Sequence, residues 1–141
     1  MAILTRYARR FVLSEDPACA PLPDRAPDTP GLVPVEDCST AEGCDVFVVG
    51  PLRYTAQMRL RPDPEAVKSW SQAEQLDHML EVVSHAVEIE TADGQRLSGA
   101  AVREAVDRLS SSGSLAVWLY VEVTHQSRPG GADAGRFRST G

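Results

Sequence analysis

Lysine is almost absent from this chain. Lys68 is the only lysine among 14 basic residues, a bias that a GC-rich genome imposes and that says little about chemistry. No run of 18 apolar residues occurs, which excludes a membrane-spanning helix. Cysteine is scarce and odd in number: Cys19, Cys38 and Cys44. The opening "MAILTRYARRFVL" places its charges after a very short apolar patch, the reverse of a secretory signal. The expectation is reduced thiols in a cytoplasm.

Recognisable catalytic motifs are missing too. There is no G-x-S-x-G elbow, and "SSSGS" lacks both the lysine of a phosphate loop and a preceding strand. Zinc needs four ligands, commonly in closely spaced pairs. Cys38 and Cys44 stand apart from such a pair, and Cys19 is distant. His78 and His85, two helical turns apart, offer only an unspecific second pair. A Cys38–Cys44 disulfide is sterically admissible but disfavoured in a reducing compartment. Asp77 and Glu81, like Glu88 and Glu90, read as solvated helix surface. His125 suits the C-terminal end of a helix dipole. No cofactor and no reaction are expected.

What is present is a chain of 141 residues, 43% hydrophobic and 24% charged. That composition belongs to one globular domain, or a small core with tails. A net charge of −6 argues against nucleic acid, whose phosphates need clustered Lys and Arg. The charge is unevenly placed. Residues 1–13 carry Arg6, Arg9 and Arg10 without an acid (+3), while residues 65–108 carry nine acids against four bases (−5). A basic arm beside an acidic body suits self-association or docking, and equally suits solvated faces.

Residues 7–13 read as a strand. Residues 14–36 hold six of the ten prolines, which excludes helix or central strand and predicts an extended linker, or an arm laid on a neighbouring subunit. "CDVFVVGPL" makes a short buried strand ended by Gly50-Pro51. Leu52, Ala56 and Leu60 outline a short helix. Trp70, Ala73, Leu76, Leu80, Val83 and Val87 then form one stripe of a long helix capped by Ser69 or Ser71 and running to about Glu90. Asp93-Gly94 signals a turn. Ser98 caps a second helix, with Val102, Val106 and Leu109 as its stripe.

Residues 115–125 are ambiguous. Leu115, Val117, Leu119, Val121 and Val123 alternate as in a strand, but two helices with short connections precede them, which favours helix. The expected fold is α+β: short N-terminal strands with a Pro-rich arm, then a small helical bundle. Its divisions are residues 1–13 as basic arm, 14–36 as linker, 37–126 as folded body and 127–141 as Gly-rich tail. Trp70 and Trp118 are apolar anchors for a core or, as runner-up, a partner.

The order of features resembles a known group. "RYARRFVLSED", a variable loop, "VFVVGPL", "QLDHMLEVVSHAVEIE", "TADGQRLSGAAVREAVDRL" and an apolar last helix with a polar tail look like the small tail assembly chaperones of tailed bacteriophages and related morphogenesis proteins. The likeness spans roughly residues 6–125, and the chain departs from it in the Pro-rich insert and Gly-rich tail. It implies a non-enzymatic protein of the host cytoplasm that binds phage structural proteins such as a tape measure, tail or capsid subunits. Trp70, Leu76, Leu80 and Val83, with Trp118 and the arm residues Arg6, Arg9 and Arg10, are then the candidate contacts. The alternative is a permanent virion subunit whose arm and tail lock neighbours together.

Overall fold

The computed structural model describes residues 8–25, 29–109 and 113–127. The fold is α+β, built on a five-stranded antiparallel sheet with helices against one face. Its strands are β1 (Arg9–Leu13), β3 (Leu32–Pro34), β5 (Val46–Val49), β6 (Val87–Glu90) and β7 (Arg96–Leu97), in the order β3-β1-β5-β6-β7. Two short strands, β2 (Ala20–Pro21) and β4 (Cys38–Thr40), pair in a separate small sheet. The helices are α1 (Tyr54–Leu60), α2 (Pro64–Val67), α3 (Gln72–Ala86), α4 (Ala100–Leu109) and α5 (Ser114–Ser127).

Alternation along the strands sorts side chains between two cores. Phe11, Phe47, Val49, Val87 and Ile89 point to one face, where they pack with Leu80, Val83, Val102, Val106, Leu115 and Leu119 from α3, α4 and α5. Val12 and Val33 point to the other face and meet Cys44, with Ala18, Cys19, Val35, Cys38, Ala41 and Val46 around them. Among its described residues, the Pro-rich segment therefore covers the second face of the sheet around Ala18, Cys19 and Val35, and joins the sheet itself as β3. This corrects the expectation of an extended linker over 14–36: β2 and β3 both fall inside it, and Val33 is buried. Proline is tolerated there because β3 is an edge strand, with Pro34 at its end.

The long helix starts where a capping box fixes it. The Ser71 hydroxyl accepts from the Glu74 N–H while the Glu74 carboxylate accepts from the Ser71 N–H. It ends earlier than the periodicity suggests, at Ala86, and Val87 enters β6 with no intervening loop (φ −120°, ψ 137°). Trp70 precedes the helix, and Ala73 is exposed. The second helix buries Val102, Ala105 and Val106 but leaves Leu109 half exposed. Ser98 stands before it, with its carbonyl accepting from the Ala101 N–H. Residues 115–125 are helical, and α5 begins at Ser114 itself, after Gly113 in the left-handed region (φ 79°). A side chain on Gly113 would strain that backbone, and its Cβ would also lie 3.6 Å from Leu76 Cδ1.

Candidate partner-binding surface

Two functional readings attach to this fold, an apolar surface and a thiol cluster. The surface starts from the composition of α5. Between Ser114 and Ser127 the only carboxylate is Glu122 and the only other titratable groups are Tyr120 and His125. Leu115, Ala116, Leu119 and Val123 fill the core side. One turn apart on the opposite side, Val117 and Val121 are 40% and 58% exposed. A helix apolar on every side is normally covered on every side.

Beside this stripe lies a hollow. Tyr120 and Thr124 each sit three positions after Val117 and Val121 respectively, and so are their neighbours on the helix surface. They form one wall of a hollow of about 370 Å³ whose other sides are Leu60, Arg61, Pro62 and His78. His78 links it to Trp70: the Trp70 and His78 rings are 5.3 Å apart, and the His78 and Tyr120 rings 6.0 Å apart at 66°. Beyond His78 a second shallow hollow is lined by Trp70, Ala73, Glu74 and Asp77. The floor is held rigidly, since the Leu52 N–H donates to Ser127 Oγ (2.7 Å) and Gln57 Nε2 donates to the Leu52 carbonyl (2.8 Å).

The candidate contact residues divide. Trp70 reaches this surface through His78. Leu80 and Val83 do not: they are 5% and 0% exposed inside the helical core, so the stripe read as a binding face is a packing face. Leu76 packs half-buried against the same core, as does Trp118. Arg9 lies over the Phe11 ring (5.0 Å) and pairs with Glu36 and Glu122, while Arg10 pairs with Glu90. Both basic groups are thus engaged within the fold. Arg6 lies outside the described residues. Val117, Tyr120 and Val121 were not among the candidate contacts, and His78 was weighed only as a metal ligand; for the three on α5 the signal was the surplus of apolar residues in 115–125.

The other face of β6 is polar. Glu88 accepts from Arg96 (2.7 Å) and Glu90 from Arg10, and Glu88, Arg96 and Arg10 line an open hollow with Val48, Arg53 and His85. In the β6–β7 turn the Thr91 hydroxyl donates to Asp93, which holds that carboxyl below its usual range. In the second core, burial and then the adjacent Cys38 thiol push the Cys19 thiol up to about 11. Burial, followed by the Asp16 charge, also raises Cys44. Among the described residues no group of three or more His, Cys, Asp or Glu is placed to hold a metal ion, and no helix is long and apolar enough to cross a membrane. Compared with known protein families, curated proteins and solved structures, the chain gives no significant match.

Proposed function

We propose that the chain is a non-enzymatic assembly protein of a tailed bacteriophage, which holds another phage structural protein against the outer side of α5. The observation that carries the binding reading is the exposure of Val117 and Val121 on a helix with apolar residues all round. Trp70, His78 and Tyr120 extend that surface with rings, the side-chain type that anchors interfaces. Both edges of the main sheet are short, two and three residues, and Pro34 ends one of them. Such edges resist strand addition, which favours docking through the helices. The phage assignment rests on the order of elements, from the basic first strand through "VFVVGPL" to the apolar last helix.

The partner this reading favours is an extended, aggregation-prone structural protein of the tape-measure type, met in the host cytoplasm. Co-expression tests it: the tape-measure protein of the same phage should stay soluble with this chain and precipitate without it. Proteomics of purified particles separates the assembly factor from a permanent subunit. Presence in the particle at stoichiometric copy number would sink the chaperone role.

A further inference from the structure

The second core brings two thiols together that are 19 positions apart in sequence: Cys19 Sγ and Cys38 Sγ are 3.8 Å from each other. Cys19 directly precedes β2 and Cys38 opens β4, so the pair bridges the small sheet that lies over the main one. Both are half-buried, whereas Cys44, in the same cluster, is only 4% exposed. We propose that Cys19 and Cys38 are an oxidisable pair whose disulfide ties together the two strands of the small sheet where it covers the second face of the main one.

The geometry asks for little movement. A disulfide needs its sulfurs about 2.05 Å apart, so the two must approach by roughly 1.8 Å. β2 has two residues, pairs only with β4, and shifts register between Ala20 and Pro21. A strand that short and irregular can follow its cysteine. The stretch between the two cysteines includes Pro21, Pro23, Pro27, Pro30 and Pro34, and among its described residues the regular elements are short, the three-residue β3 and one 3-10 turn at Val35–Asp37. This site is independent of the α5 surface and stands whether or not that reading holds.

The oxidant is a low-molecular-weight disulfide such as oxidised glutathione. Cys38 attacks first, because burial and then the neighbouring thiol keep Cys19 protonated. Its sulfur bonds to one glutathione sulfur, and the glutathione S–S bond breaks, releasing one glutathione thiolate. Cys19 then gives up its proton and attacks Cys38 Sγ, expelling the second glutathione thiolate. Two protein thiols are oxidised, one glutathione disulfide is reduced, and the two protons lost leave as two glutathione thiols.

The test uses the full chain, reduced and then incubated with oxidised glutathione without denaturant. Cleavage after acidic residues, at Asp24, Asp37 and Glu42, puts the three cysteines on separate peptides. The expected product is a Cys19–Cys38 cross-linked peptide lacking two hydrogens, with Cys44 alkylated only after unfolding. Closing a loop of this size should raise Tm by on the order of 10 °C, and dithiothreitol should reverse the rise. Cys38→Ser should match the reduced wild type in Tm and show no rise with oxidised glutathione. The proposal is overturned by stable mixed disulfides alone, by bridges that use Cys44, by an unchanged or lowered Tm in the cross-linked protein, or by a rise that persists in Cys38→Ser. Retention of one zinc per chain that blocks the cross-link would also overturn it.

Discussion

Replacing Val117 and Val121 together by serine tests the α5 surface most directly. Fully burying a valine is worth about 1.5–3 kcal/mol. The unburied fractions, 40% and 58%, leave roughly 0.6–1.2 kcal/mol at Val117 and 0.9–1.7 kcal/mol at Val121 for a partner to gain. Together these come to about 1.5–3 kcal/mol, or a loss of roughly ten- to a hundredfold in affinity. The monomer should barely notice. Serine and valine have similar helix propensities, and neither side chain is counted in the buried core. Tm should therefore stay within about 2 °C of wild type. The measurement is a binding titration of the tape-measure protein of the same phage, set against a thermal melt, with Asp107→Ser on the exposed side of α4 as control. Full affinity in the double variant would refute the surface. A parallel fall in Tm would show instead that these valines support the fold.

Other perturbations probe the framework. Leu119→Ala, at a site with no exposure, should cost about 2–5 kcal/mol in denaturant unfolding, well above the cost of the α5 surface changes. Ser71→Ala removes one half of the capping box and should cost about 1 kcal/mol, lowering Tm by roughly 2–4 °C. Alkylation of Cys19 should keep accelerating with pH until about 11, where an ordinary thiol levels off near 9.0. The direction follows from the neutral form being favoured by burial, so the reactive thiolate appears only at higher pH. A plateau at pH 9, read by peptide mass mapping, would show the thiol to be solvated.

Much of the fold was legible because its signals are local. The serines at 69 and 71 bracket the start of α3, which the structure fixes at Ser71, and "VFVVGP" announces β5 and its end. The end of α3 was hidden for a physical reason. Val87 lies on the buried side of both a helix continued from Val83 and a strand begun at Val87, so the change of period from 3.6 to 2 leaves no mark there. The Pro-rich segment misled because proline content reports what the backbone cannot form, not whether it is covered. Leu32, Val33 and Val35, set between prolines, carried the burial signal. The candidate surface was the least visible part. Whether Leu80 or Val117 faces solvent depends on where α3 and α5 meet, a relation between residues far apart in the chain. The Cys19–Cys38 approach is likewise non-local, and sequence spacing pointed instead to Cys38 and Cys44.

Adjacent residues of β1 serve rooms of unequal size. Phe11 fills the space beneath the helices, and Val12 fills the smaller space beneath the Pro-rich layer. A one-residue slip of β1 against β5 would exchange them, leaving a cavity on one side and a clash on the other. It would also turn Arg9 away from Glu122 and Arg10 away from Glu90. The alignment of β1 is therefore specified twice, by volume and by charge. That makes a strand of five residues a dependable reference line for everything built on either side of it.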